Sequence, residues 1–450
     1  MKIIIVGVGK VGSTLCDFLA KENHDIVIVD TNRDLVEKLI DEYDVSGVVG
    51  SGASNDILVE AGAKKTDIII ATTEYDELNI LACLFGKRNG IKYAVARIRN
   101  PEYAKQTKFF YEELNLDMII NPELEAALEI ERILHFPSAE NIETFADNKV
   151  EIVGLKLNQN SVFINLTLEE ARNILKTKFL VCAVERNNNA IIPNGKFKME
   201  INDTIYVIGS KNDILKLFKE LGIYKNRAKN IMIIGGGFAT YYLASQLLEM
   251  KCKVKIIEMD KFKALELKES LPNADIILGD GSNRDLLIEE GIDEVDAFVS
   301  LTGIDEENII LSLFAKHKQI PKVITKINKI SYNDILTSLE LSSIISPKLI
   351  TTFKILRYIR SLNNALGLKV ETLYKIINNQ VEALEFLITE KSEFTNIPLK
   401  DLRLKPNILI SAIIRGTNII VPSGEDMILP HDRIIIVTTN MQLGNLNILG

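Results

Sequence analysis

Three glycines, Gly7, Gly9 and Gly12, stand at GxGxxG spacing in MKIIIVGVGKVGSTLCDFLA, just after the apolar run KIIIV and just before a stretch of helical periodicity. That spacing suits a phosphate. The first glycine permits a tight turn, the second lets backbone approach a pyrophosphate, and the third lets the helix pack closely on the strand. The helix start adds unpaired N–H groups and a partial positive charge. Asp30 closes the next apolar run, DIVIVD, 23 residues after Gly7. A carboxylate there accepts hydrogen bonds from both hydroxyls of an adenosine ribose and repels a 2′-phosphate, favouring NAD over NADP; the nearby Arg33 acts in the opposite sense. Thr72, Thr73 and Glu74 follow the fourth apolar run, where open α/β sheets place ligands. Arg97 ends the fifth, and its planar fork could clamp phosphate. Taken by itself, Arg97 is better explained as a surface arginine paired with a carboxylate.

Groups for chemical catalysis are missing beside these binding groups. A dehydrogenase needs a proton donor such as His, Lys or Tyr near the nicotinamide, on a domain that holds substrate. The four histidines, His24, His135, His317 and His431, lie in no motif, and metal spacing such as HExxH is absent.

The elements that must position the binding groups follow from the apolar pattern. KIIIV, DIVIVD, GVVG, DIIIATT, YAVARI and DMII alternate with amphipathic stretches such as DELNILACLFGKR. Near-continuous apolar strands alternating with helices predict a doubly wound parallel α/β sheet, a Rossmann-like lobe. The pattern then recurs. Gly7 pairs with Gly235 and Asp30 with Glu258 at an offset of 228, while Gly50/Gly279, Asp76/Asp305 and Asn79/Asn308 pair at 229. MIINPELEAALEIERIL resembles SIISPKLITTFKILRYI, with Pro122 and Pro347 offset by 225, and ERNNNAIIPNG mirrors IRGTNIIVPSG, again at 229. A repeat this long is a duplicated two-domain unit rather than a solenoid. The expected domains are 1–135 and 229–362, both Rossmann-like, and 140–225 and 365–450, both small α+β lobes reading strand, helix, strands. KNRAKN, from Lys225 to Asn230, reads as a charged, solvated joint between the halves.

Composition bounds the class. With 450 residues, 47% hydrophobic and 25% charged, the chain can bury several cores. Four cysteines with no CxxC pair argue against a disulfide framework and for a reducing compartment, and no signal peptide is visible. A net charge of −8 argues against broad nucleic-acid binding. Ile231 to Leu248 is an 18-residue stretch without charge, at the lower limit for a membrane span. Its three glycines, two tyrosines, Ser245 and Gln246 point instead to a buried strand and a packed helix.

The order GxGxxG, Asp30, GSGAS, ATTEYDELN, ARIRNPEY, duplicated with small lobes between, resembles the NAD-binding peripheral subunit of Trk-type bacterial potassium uptake systems, built from RCK modules. The resemblance covers essentially the whole chain. It implies a cytoplasmic regulatory ring, a homotetramer, docked under an integral membrane potassium transporter and peripheral on the inner face of the membrane. It implies NAD(H) as ligand, with ATP and ADP as further candidates. Carried over by position, the phosphate turn is Gly7, Val8, Gly9, Lys10 and Val11 with Gly12, the ribose acid is Asp30, the later contacts are Thr73 and Glu74, and the clamp is Arg97. Ser51, after Gly50, occupies a cofactor contact where many relatives carry an acid. Two other readings remain: an NAD-dependent dehydrogenase, and a gating ring of another potassium channel or efflux system.

The second copy keeps Gly235, Gly237 and Glu258, but Thr240 replaces the third glycine, Phe238 and Tyr241 add bulk, and Lys326 replaces Arg97. A β-branched residue at the third position is expected to push the helix from the strand. The second pocket is therefore expected to be weak or empty.

Overall fold

The structure, a computed structural model, describes residues 1–135, 142–145, 149–159, 161–222, 228–329, 339, 341, 343–363, 369–377, 380–388, 392, 394–416 and 418–439. Lys225 to Arg227 of the expected joint lie outside the described residues.

The first large lobe runs β1 (Lys2–Val6), α1 (Lys10–Lys21), β2 (Asp25–Asp30), α2 (Arg33–Glu42), β3 (Ser46–Val49), α3 (Asn55–Glu60) and β4 (Ile68–Ala71). It continues through α4 (Asp76–Arg88), β5 (Tyr93–Arg97), α5 (Pro101–Ala104), α6 (Thr107–Glu112), β6 (Met118–Ile120) and α7 (Pro122–His135). The strands pair in parallel in the order β3-β2-β1-β4-β5-β6. Ile68 to Ala71 of β4 are fully buried, as a parallel sheet covered on both faces requires. Chain order reverses between β1 and β4, opening a crevice at the carboxyl ends of those strands. Side chains cap α2 and α3 through Asn32 and Ser54. At the crevice, α1 has only Gly9 as its cap, so its first-turn N–H groups face outward without a side-chain acceptor.

The second large lobe repeats this plan: β12 to β17 are Asn230–Ile234, Lys253–Glu258, Asp275–Leu278, Ala297–Ser300, Lys322–Lys326 and Ile344–Ile345. Helices α10 to α14 are Phe238–Glu249, Lys261–Ser270, Arg284–Glu289, Asp305–His317 and Pro347–Asn363. The order β14-β13-β12-β15-β16-β17 is the same, and again parallel. The uncharged stretch from Ile231 divides into β12 and α10, and among the described residues no helix is long and apolar enough to cross a membrane.

The two large lobes share one compact unit, Met1–Glu131 with Ala228–Leu356. Within it the Tyr242 hydroxyl donates to the Arg99 carbonyl at 2.8 Å and accepts from Asn121 Nδ2 at 2.9 Å. Burial pushes that phenol up to about 12, so it stays a donor at any physiological pH. Lys354 pairs with Glu125, and Phe18 meets Phe353 edge-on at 5.3 Å.

A second unit holds the two small lobes, Arg132–Arg227 with Arg357–Gly450. The first small lobe contains β7 (Ile142–Phe145), β8 (Val150–Lys156), α8 (Leu168–Ile174), β9 (Leu180–Arg186), β10 (Asn189–Ile191), β11 (Thr204–Ser210) and α9 (Lys211–Glu220). Its antiparallel order is β10-β9-β11-β8-β7. The second contains β18 (Lys369–Ile376), β19 (Val381–Leu387), β20 (Ile408–Arg415), β21 (Asn418–Ile420) and β22 (Arg433–Thr438), ordered β18-β19-β22-β20-β21. Apolar residues of both lobes, including Phe145, Ile208, Ile376 and Ile435, form one buried cluster. The expected helix TLEEARNILK forms as α8, started by a capping box in which Thr167 and Glu170 bond reciprocally. In the second small lobe Pro398 precedes a single 3₁₀ turn, Leu399–Asp401. Without the threonine cap and its glutamate the longer helix is not started there.

Candidate functional site

The turn between β1 and α1 is shaped by contacts only glycine permits. Gly7 has φ +83°, and a Cβ there would lie 2.7 Å from the Thr73 nitrogen. A Cβ at Gly12 would strike the Gly7 carbonyl oxygen and lie 2.9 Å from Thr72 Oγ1, while one at Gly9 would meet no atom within 4 Å. The second glycine thus faces open space in front of the helix N-terminus. Asp30 reaches this turn, with Oδ2 accepting from Val8 N at 2.8 Å and Oδ1 from Asn32 N at 2.9 Å. Two bonds leave a carboxylate further lone pairs for ribose hydroxyls. Ser51 Oγ accepts from Ala53 N at 3.2 Å and lines the same crevice.

The opposite wall holds the expected Thr73, Glu74 and Arg97 in place through residues whose roles the sequence did not reveal. Asn79 is fully buried; its Oδ1 accepts from Thr73 N at 2.8 Å and its Nδ2 donates to the Arg97 carbonyl at 2.9 Å. Asp76 Oδ2 accepts from Arg99 N and Asn100 N, each at 2.8 Å. These two side chains tie the end of β4 to the end of β5, and their one sequence signal was recurrence as Asp305 and Asn308. Arg97 Nη2 lies 3.5 Å and Arg99 Nη1 3.7 Å from Glu123 Oε1. The Nε atoms of both arginines and Glu123 Oε2 are buried without a hydrogen-bond partner. Burial lowers the Arg97 pKa and the Glu123 charge opposes this, leaving a cation held ready for an anionic ligand. Glu74 is exposed, with its carbonyl accepting from Arg99 Nη2.

Gly9, Lys10, Asp30, Thr73, Glu74 and Arg97 line one cleft of about 570 Å³, within the range of small-molecule sites. Its polar groups suit a dinucleotide: an open glycine and helix start to donate to a pyrophosphate, a carboxylate to accept from a ribose, and guanidinium groups with unpartnered nitrogens for phosphate. Neither His24, His317 nor His431 lines it, and the side chain of His135 lies outside the described residues. Among the described residues no cluster of three or more His, Cys, Asp or Glu could hold a metal.

The second turn is built differently. Glu258 is buried, with Oε2 accepting from Gly236 N and Oε1 from Asp260 N at 2.7 Å. Thr240, fully buried, donates its hydroxyl to the Gly235 carbonyl at 2.5 Å. In the first turn the equivalent carbonyl, of Gly7, accepts from Thr72 Oγ1 at 2.8 Å, and Leu301 stands at that strand position in the second lobe. With a leucine at the strand end, the Gly235 carbonyl takes its hydrogen bond from the helix hydroxyl of Thr240 instead. Lys326 Nζ donates to the Leu301 carbonyl at 3.1 Å.

A parallel sheet in this order, with a glycine turn and an acid at its switch point, defines a Rossmann-type nucleotide lobe, present twice and paired with two antiparallel small lobes. Family comparison is more particular: the TrkA-N domain matches residues 3–122 and 231–347, and the TrkA-C domain matches 152–222 and 383–446. The chain belongs to the TrkA family of Trk potassium uptake proteins. It is 33% identical over 448 residues to the Trk system potassium uptake protein TrkA of Vibrio alginolyticus, covering 98% of this chain and 96% of that one. The Haemophilus influenzae TrkA is 32% identical, with 97% and 95% covered. Among solved structures, the GsuK channel bound to NAD superimposes with a TM-score of 0.64 at 18% identity, over 98% of this chain and 77% of that one. The GsuK RCK domain gives 0.64 at 17%, over 98% and 92%. Membership sets the chain among potassium-uptake components and not among the dehydrogenases; it is not an enzyme.

Proposed function

We propose that the chain is the nucleotide-sensing regulatory subunit of a potassium uptake transporter, binding NAD(H) or an adenine nucleotide in the first cleft and gating an integral membrane partner by a change of lobe arrangement. The observation that carries this reading is the convergence of Gly9, Asp30 and Arg97 on one cleft in a chain of the TrkA family. The relatives' names supply the potassium-uptake setting, and GsuK supplies a neighbour of the same fold bound to NAD. The duplicated modules then divide near 1–135, 140–225, 229–362 and 365–450, assemble as a homotetrameric ring, and sit on the cytoplasmic face of the membrane. A ligand preferring one of two arrangements by about 1–3 kcal/mol shifts gating several-fold.

The second lobe is a weak or empty site, because Glu258 is buried where its counterpart Asp30 is half-buried, and Phe238 and Tyr241 add bulk around the turn. Calorimetry on the intact chain with NAD, NADH, ADP and ATP should give one tight site per chain. Potassium flux through the reconstituted partner should respond to nucleotide, and Asp30→Ala should blunt the response to NAD(H). No binding of any of the four, or flux indifferent to the subunit and its ligands, would overturn the reading.

A further inference from the structure

The Arg99 peptide, on the far wall of the first cleft, is held from both large lobes. Its N–H donates to Asp76 Oδ2 at 2.8 Å, a bond within the first lobe. Its carbonyl accepts from the hydroxyl of Tyr242, on α10 of the second lobe, at 2.8 Å, and from Asn121 Nδ2 at 3.3 Å. Asn121 Nδ2 also donates to the Tyr242 oxygen at 2.9 Å, so the three groups close a triangle, with both side chains buried. Asn121 Oδ1 in turn accepts from Leu124 N at 2.9 Å in the first turn of α7, the helix along which the chain leaves the large-lobe unit.

The other end of Arg99 belongs to the cleft. Its side chain lines the same space as Gly9 and Arg97, with Nη1 3.7 Å from Glu123 Oε1. One residue thus presents a guanidinium to an anionic ligand and a carbonyl to the second lobe. Ala239, Lys326 and Lys348 of the second lobe border the cleft as well, whereas the Tyr242 hydroxyl grips the first lobe's backbone behind it. The Tyr242 ring meets that of Tyr241 edge-on at 5.5 Å, and burial pushes its phenol up to about 12, which keeps the contact a neutral hydrogen bond. The repeat does not supply this link in reverse. At the mirror positions the Thr14 hydroxyl donates to the Lys10 carbonyl at 2.9 Å inside α1, and Ser346 Oγ is buried without a hydrogen-bond partner.

We propose that the Tyr242 hydroxyl is a positioning group through which the second lobe follows ligand binding in the first cleft: a nucleotide that engages Arg99 acts on the peptide and the α7 cap that Tyr242 holds, and α10 responds. This rests on the reading that an adenine nucleotide occupies that cleft. Tyr242 itself touches no ligand. When its hydroxyl is removed, Asn121 still serves the Arg99 carbonyl, so the wall keeps the support of its own lobe. Affinity and its transmission across the seam, which a binding residue would lose together, should therefore separate.

The test compares calorimetric affinity and hydrogen exchange in the intact chain, with and without saturating NAD, ADP or ATP, for the wild type, Tyr242→Phe and Tyr241→Phe. In the wild type, nucleotide should slow exchange at the α1 amides of the first lobe and also at the α10 amides of the second. A contact transmits no more free energy than it contributes, so one buried hydrogen bond sets the α10 response at about fivefold. Tyr242→Phe should bind nucleotide within about threefold of the wild type and keep the α1 response, while its α10 response falls below about twofold. Tyr241→Phe, which removes the neighbouring phenol, should keep both. A merely structural Tyr242 would lower α10 protection equally with and without nucleotide, leaving the response unchanged, and that result would overturn the proposal. So would a wild type whose response stops at α1. Either outcome leaves the parent reading standing, because nucleotide still binds at the first turn; no binding by any of the three removes both. If Tyr242→Phe does not fold, the wild type decides: a response at the amides from Leu243 onward supports the link, and one confined to the start of α10, beside the cleft-lining Ala239, overturns it.

Discussion

Exchange of a hydroxyl between the two turns can be tested inside the first lobe. Gly12→Thr puts a Cβ against the Gly7 carbonyl oxygen and 2.9 Å from Thr72 Oγ1; overpacking of this kind costs about 1–3 kcal/mol. Thr72→Leu removes the buried 2.8 Å bond to Gly7 O, and a buried carbonyl left unsatisfied costs about 1–3 kcal/mol. Made together, the two changes recreate the Thr240 and Leu301 arrangement, in which the helix hydroxyl serves the carbonyl. The introduced threonine then has the Gly7 carbonyl as a partner that no other hydroxyl claims. The double variant should cost less than the sum of the single ones by on the order of 2 kcal/mol, a coupling of the size seen for residues in contact. A whole-chain melt of a four-lobed protein does not report one lobe. Hydrogen exchange at the buried amides of β1 and α1 does, and a 2 kcal/mol coupling appears there as roughly thirtyfold in protection. Additive effects, with the double variant as labile as the sum predicts, would refute the account of why Thr240 fits.

Arg97→Ala removes a charged phosphate donor and should weaken nucleotide binding roughly ten- to a hundredfold; unchanged calorimetric affinity for every adenine nucleotide tested would remove Arg97 from the site. Gly9→Val adds its side chain into space with no atom within 4 Å, so binding should be abolished while melting stays near the wild type, and a large loss of stability would show that the space is not the ligand's. The buried thiols of Cys16, Cys83 and Cys182 are pushed up to about 11, 12 and 12, chiefly by burial. Since the unfolded chain ionises its thiols near 9 while the folded chain keeps them neutral, their contribution is complete below pH 9 and is lost as pH rises from 9 towards 12. Unfolding followed by denaturant at pH 8 and pH 10 should give a lower midpoint at pH 10, and Cys83→Ala should reduce that difference.

Much of the fold was legible because its strands are all-apolar runs with one physical meaning, burial on both faces. Gly7, Asp30 and the repeat offsets placed two parallel sheets and the turn of the first. The cleft's far side was not legible. Arg99 and Glu123 sit where nothing local distinguishes them from surface charges, and Lys326 and Lys348 reach the cleft only because the two large lobes pack together. That packing includes Tyr242 meeting Asn121, residues 121 apart in sequence. The bond from Thr240 to the Gly235 carbonyl was not legible either, because the third position of the motif says nothing of the strand end opposite, where Leu301 carries no hydroxyl.

Fusion of the two halves frees the contact between them from symmetry. In a pair of identical chains every cross-contact occurs twice, so a substitution must be acceptable on both sides of the axis at once. Here the pair Lys354 and Glu125 has Glu129 and Ile350 at its mirror positions, and Tyr242 with Asn121 has Thr14 and Ser346. None of these contacts could have been kept by two copies of one half. A mutation at this seam is felt once per chain, and the two sides can drift towards different chemistry without either having to bind itself.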